Sequence, residues 1–159
     1  MKNWLAYRSS EEGTVAIEAV FVLPLLILIG FGAVDGSLLM MQNHKAENGL
    51  VSAGNFLAKT PTPASFETRA KRLATTGQMQ AGGTPKIKDW SANDVTISYK
   101  STPNEANGSD RQYRGNDTIR VVRLSTSIPF QGLGLIKSVT RGGVTIEASY
   151  EERLIAERL

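Results

Sequence analysis

Two acids, Glu18 and Asp35, bracket the most apolar stretch of this chain, sixteen residues without a charge. A carboxylate at the centre of a membrane helix costs about 2.5–3.5 kcal/mol on insertion scales, so an acid near such a helix needs either water or a partner. Water is within reach, because Glu18 lies close enough to the helix end to snorkel to the interface. A partner can also be made from the sequence. If the chain is cut after Gly13, Thr14 becomes a cationic N-terminus and Glu18 the fifth residue of the mature helix. In a helical assembly, Glu18 of one copy can then pair with the Thr14 amine of a neighbour and neutralise both charges in a low-dielectric interior. The chemistry this implies is cleavage of the chain followed by charge pairing.

Nothing else in the sequence asks for catalysis. There are no cysteines, which excludes disulfides, thiolate nucleophiles and cysteine metal sites. The single histidine, His44, excludes any mechanism that needs two, and Ser52 stands too far along the same helix to be its partner. Asp89, Asp94, Asp110 and Asp117 fall in loops without the Asp-x-Asp-x-Asp-Gly spacing of a calcium loop. Arg111, Arg114, Arg120 and Arg123 flank Tyr113 and read as a solvated loop and strand face, with an adhesion patch for anionic surfaces as the alternative. Asn107-Gly-Ser109 and Asn116-Asp-Thr118 match the glycosylation pattern by chance. The formal net charge of +3 is too small to argue for nucleic acid. No catalytic residue, metal or cofactor is expected, and the chain is not read as an enzyme.

The elements that position Glu18 follow from the apolar run. From Glu18 to Asp35 a helix covers about 26 Å at ~1.5 Å per residue, close to the ~30 Å bilayer core. Gly36 to Met41 extends the run, so Val15–Met41 reads as one transmembrane helix. A secretory signal is disfavoured by the length of the run, by Pro24 inside it and by the acid in Ala33-Val34-Asp35 where a cleavage site wants a small residue. A buried soluble helix is disfavoured because the segment is apolar on every face. Lys2 and Arg8 on one side balance Lys45 and Lys59 on the other. The short N-terminal tail therefore decides the expected orientation, N-terminus inside and large domain outside. Gly32 and Gly36, four apart, allow close helix approach in a membrane. Pro24 removes a backbone hydrogen bond and marks a kink.

Ala46, Leu50, Ala53 and Leu57 recur at helical spacing, so the helix should continue outward as a stalk to about Lys59, weakened by Gly49 and Gly54. Thr60-Pro-Thr-Pro63 should end it. A second helix is expected from Phe66 to Thr75, capped by Thr62 or Ser65, with Ala70, Leu73 and Ala74 on one face. Gln78–Pro85 reads as a glycine-rich linker. Val95–Tyr99 and Val144–Tyr150 alternate as strands, and Ile119–Ile128 is strand-like with a change of face at Val121-Val122 that suggests a bulge. Ser101–Asn116 reads as an exposed loop, and Glu151–Leu159 as a short helix or tail. At 159 residues the chain has room for one small domain besides the anchor.

A Gly, four residues, a Glu and then an apolar helix resembles the processing site of class III signal peptides in type IV pilins. The stretch from Gly13-Thr-Val-Ala-Ile-Glu18 through Leu23-Pro24-Leu25-Leu26 to Asp35-Gly36 resembles more particularly the TadE-like family, minor pilins or pseudopilins of the tight-adherence (Tad, Flp) pilus system. The likeness covers Gly13 to about Leu57; Ala19 stands where the pattern usually has an aromatic, with Phe21 the nearest ring. It implies an α+β, pilin-like fold, a long N-terminal transmembrane and stalk helix with a small antiparallel sheet domain. The expected division is a cytoplasmic leader over 1–13, a transmembrane helix over 14–41, a stalk over 42–59 and a periplasmic or extracellular domain over 60–159. The resemblance further implies cleavage between Gly13 and Thr14 by a prepilin peptidase and docking through Glu18. Pro24, Gly32 and Gly36 would shape helix packing. The implied partners are the peptidase, other minor and major pilins and the assembly platform of the bacterial inner membrane. The implied function is a priming or tip complex that supports adhesion and biofilm. The alternative is an unprocessed single-pass membrane protein with a periplasmic binding or sensing domain.

Overall fold

Anchor and stalk form one helix, α1 (Asn3–Ala58), whose assignment is unbroken through Pro24. The structure is a computed structural model that describes residues 3–105, 113, 117–140 and 143–155, with side chains from Thr14 onward except 137 and 139. Thr60-Pro-Thr-Pro ends the helix as expected, because two prolines in three residues cannot continue it. A 3₁₀ turn, Pro63–Phe66, then leads into α2 (Glu67–Thr76). Neither Thr62 nor Ser65 caps a helix through its side chain; the entry is made by the backbone, with the Ser65 N–H donating to the Thr62 carbonyl at 3.1 Å. Phe66 fixes that turn by packing edge-on against Phe56 of α1, ring centres 6.1 Å apart, while the Arg69 guanidinium covers its ring at 5.1 Å. Ala70 and Ala74 are buried as expected, but the third interior residue of α2 is Thr75, and Leu73 stays half-buried. Gly77, at φ 79°, closes α2 in the left-handed conformation.

Three strands follow, β1 (Val95–Pro103), β2 (Thr118–Pro129) and β3 (Thr145–Arg153), antiparallel and in the order β1-β2-β3. The expected bulge at Val121-Val122 is absent, since pairing of β2 with both neighbours is continuous through these residues. Val122, Leu124, Thr126 and Ile128 simply line the buried face, while Ile119 and Val121 belong to the other. The change in hydropathy reflects a half-buried outer face rather than an extra residue. Two further corrections concern strand ends. Ser101–Pro103 belong to β1 and Glu151–Arg153 to β3, because each finds a β2 partner that lengthens the ladder. The rest of the expected loop closes on Asn104, which is buried and bonded in both directions to the Tyr113 backbone at 2.7 and 2.9 Å. Residues 106–112, 114–116 and 156–159, including Asn107, Ser109, Asp110, Arg111, Arg114 and Asn116, lie outside the described residues.

The core lies between the inner face of the sheet, α2 and one stripe of α1. Ala46, Leu50, Ala53 and Leu57 are all fully buried, as their spacing predicts. Gly49 and Gly54 have a role in packing. A Cβ on Gly49 would stand 2.5 Å from the Ala74 carbonyl oxygen, and one on Gly54 2.7 Å from the Tyr150 ring. The largest buried side chain is Trp90, which donates from Nε1 to Thr126 Oγ1 at 3.0 Å; Thr126 in turn donates to the Asp94 carbonyl at 2.9 Å. The sequence between linker and β1 carries no periodicity, so this anchor was not foreseen. The long helix beside a small three-stranded antiparallel sheet is the expected α+β, pilin-like arrangement.

Candidate functional site

Every residue from Thr14 to Val34 is exposed. These residues include Val20, Phe21, Leu25, Leu26, Ile29 and Phe31, so α1 carries a bare apolar belt roughly 31 Å long at ~1.5 Å per residue. A soluble domain does not leave such a surface to water. The belt is long and apolar enough to cross a bilayer once, which is compatible with a single-pass membrane protein. Thr14 and Glu18 stand at its start, one helical turn apart and both exposed. No Cβ contact lies within 4 Å of Gly30, Gly32 or Gly36, so the chain's own domain does not cover these positions. The cleavage and docking residues expected from the sequence thus share one end of the belt, away from the folded domain.

At the other end the unbroken exposure stops at Asp35, although Met40 and Met41 beyond it are exposed again. Asp35 is fully buried. Its carboxylate accepts from the Leu133 N–H at 2.5 Å and from the Ile136 N–H at 3.2 Å. It thereby caps a short helix, α3 (Leu135–Thr140), that sequence periodicity did not reveal. Seven residues on, Gln42 donates to the Gln131 carbonyl at 2.7 Å and accepts from the Gln131 N–H at 3.4 Å. Two side chains of α1, two turns apart on one face, therefore pin the 131–136 segment along the helix. Gly132 is required in this clamp, since a Cβ there would stand 2.6 Å from Asp35 Oδ1. The sequence did hold a signal for these pins. The buried stripe of the stalk runs back through Leu39 and Gln42 to Asp35 at the same spacing, but polar residues on an apolar stripe look like its end.

The other candidates are accounted for by local structure. His44 is exposed beside Glu47, with Nδ1 3.4 Å from Oε2. Asp94 accepts from the Ser91 N–H and hydroxyl at 2.7 and 2.8 Å, closing a 3₁₀ turn ahead of β1. Arg123 pairs with Glu151 across the outer sheet face at 3.5 Å, and the Arg153 guanidinium covers the Tyr113 ring at 5.2 Å. No group of three metal-binding side chains gathers among the described residues.

Neither a curated protein nor a solved structure matches the chain. The family model described as TadE-like protein matches residues 13–54, which span Gly13, the bare belt, both pins and most of the stalk. Over that segment the chain is similar to the TadE-like family, and the match does not extend to the domain beyond residue 54.

Proposed function

We propose that this protein is a minor pilin or pseudopilin of a tight-adherence pilus, trimmed by a prepilin peptidase between Gly13 and Thr14. It would then join the priming or tip complex that starts a filament serving adhesion and biofilm formation. The observation that carries this reading is the exposed belt Thr14–Val34, with Glu18 at its start and Asp35, the first side chain held by the folded domain, at its end. The belt needs cover from something outside the chain. In the inner membrane lipid supplies it; in a filament the belts of neighbouring subunits do. The TadE-like match over 13–54 supports the tie to this pilus system.

The chain's residues would work in sequence. Cleavage frees the Thr14 amine. Glu18 of this subunit pairs with the N-terminal amine of another as the belts come together, and the low dielectric strengthens the attraction. The open positions at Gly32 and Gly36 let neighbouring helices approach. Pro24 gives the helix a point at which to bend as it leaves the bilayer. The outer domain stays periplasmic until the subunit is extracted. No step calls for a cofactor.

The test is the N-terminal sequence of the protein from its native host, with and without the prepilin peptidase. A start at Thr14 only when the peptidase is present is the expected result. A start at Met1 in both strains would sink the proposal and leave an unprocessed membrane protein with a periplasmic binding or sensing domain.

A further inference from the structure

The segment Gln131–Ile136 has a height set by the structure. The Leu133 N–H bonds to Asp35, the first residue beyond the belt, so the Leu133 backbone stands level with the belt's outer edge. We propose that this segment is a membrane-resting foot, with Leu133 entering the interfacial layer of the same bilayer that Thr14–Val34 crosses. The inference rests on reading the belt as a membrane anchor.

Three observations carry it. Leu133 is 58% exposed, more than Met79, Tyr113 or Ile155, the other large exposed apolar side chains of the described domain beyond α1. The most exposed large apolar side chain of the described domain beyond α1 therefore belongs to the residue whose backbone is bonded at the end of the belt. The segment is also held at two points along α1 by Asp35 and Gln42, so it meets the surface already ordered. Finally, the segment lies close against α1, since a Cβ on Gly132 would stand 2.6 Å from Asp35 Oδ1. A helix alone leaves the domain free to tilt about its exit point. A second contact beside that point fixes the domain's orientation on the membrane before extraction.

The absence of cysteine from the chain makes the test clean. Full-length protein carrying Leu133→Cys is labelled with a polarity-sensitive fluorophore and reconstituted in phosphatidylcholine–phosphatidylglycerol vesicles. Ile27→Cys in the belt and Ser52→Cys on the exposed stalk are prepared alongside. The label at 133 should be quenched several-fold more than that at 52 by nitroxide-bearing lipid, and more by a shallow nitroxide than by a deep one. The label at 27 should prefer the deep one. Quenching at 133 equal to that at 52, with 27 still quenched, overturns the foot and leaves the anchor intact. A label at 133 shielded from water yet untouched by lipid nitroxide overturns it in favour of contact between protein copies. No quenching at 27 overturns the anchor reading, and the foot with it.

Discussion

Asp35 and Glu18 are both acids on one helix, yet their surroundings separate their roles. Asp35 has its bonds within the chain, to amides 98 and 101 residues away. Replacing it with alanine strands two part-buried backbone donors, at a cost on the order of 1 kcal/mol each. Asp35→Ala should therefore lower the unfolding temperature and speed amide exchange at Leu133 and Ile136, while Asp35→Asn, which keeps an acceptor, should do less. Glu18 has no such burial. If Glu18 docks as proposed, Glu18→Ala should leave membrane insertion and domain stability unchanged but block incorporation, because removing one partner of a pair buried on assembly costs about 3–5 kcal/mol. Co-purification with other pilus subunits reads this out, and normal incorporation would argue for a Glu18 that only snorkels. Tyr150 supplies a pH handle outside the membrane. Its hydroxyl donates to Glu152, and that bond, burial and the carboxylate charge all raise its pKa above the ordinary 10.0. The folded state thus holds this proton longer than the unfolded one. The stability it adds is fully present below pH 10 and is lost as pH rises through the folded value. Tyr150→Phe should cost about 0.5–1.5 kcal/mol at neutral pH and should flatten the alkaline fall in a pH series of denaturation midpoints.

The glycines of α1 divide the helix into two parts with different purposes. From sequence, Gly49 and Gly54 look like weak points in a stalk. In the folded chain they are where α2 and β3 come closest to α1. Alanine would gain about 1 kcal/mol of helix propensity. Its Cβ would collide at 2.5 Å with the Ala74 carbonyl or at 2.7 Å with the Tyr150 ring. Overpacking of this kind costs about 1–3 kcal/mol, and at Gly49 the obstacle is backbone that cannot swing aside. Gly49→Ala should therefore destabilise the domain in thermal unfolding despite the better helix former. Gly32→Ala should leave domain stability unchanged, because that position is open. The strands teach a similar lesson. Alternation located two of them and a strand-like run with a change of face the third, but their ends depended on partners: Glu151–Arg153 became strand because β2 offers them a complete ladder, not because of any local signal.

Among the described residues, the molecule is a folded domain on the C-terminal part of a helix and a bare belt on the part before it. Every residue of the described core lies at Ala46 or beyond, and the lowest pin is Asp35. A fragment beginning at Asp35 should therefore fold as a soluble monomer with the sheet intact, visible by circular dichroism and size exclusion. The full chain should need detergent or lipid. Aggregation of the fragment would mean that the belt contributes to the fold as well as to anchoring.

Local pattern alone placed the anchor, the stalk face, α2 and the three strands. Each is a repeat of one period or one unbroken apolar run, and the neighbours that make it legible are a few residues away. The TadE-like stretch was legible for the same reason, since Gly13, Glu18 and the Leu-Pro-Leu-Leu run lie in one short segment. Tertiary structure alone decided that Trp90 fills the core, that Asn104 closes the loop base and that Asp35 and Gln42 hold the 131–136 segment. Those outcomes join residues far apart in the chain. They are selected by which buried donors and apolar faces can satisfy one another, and no local propensity encodes that choice.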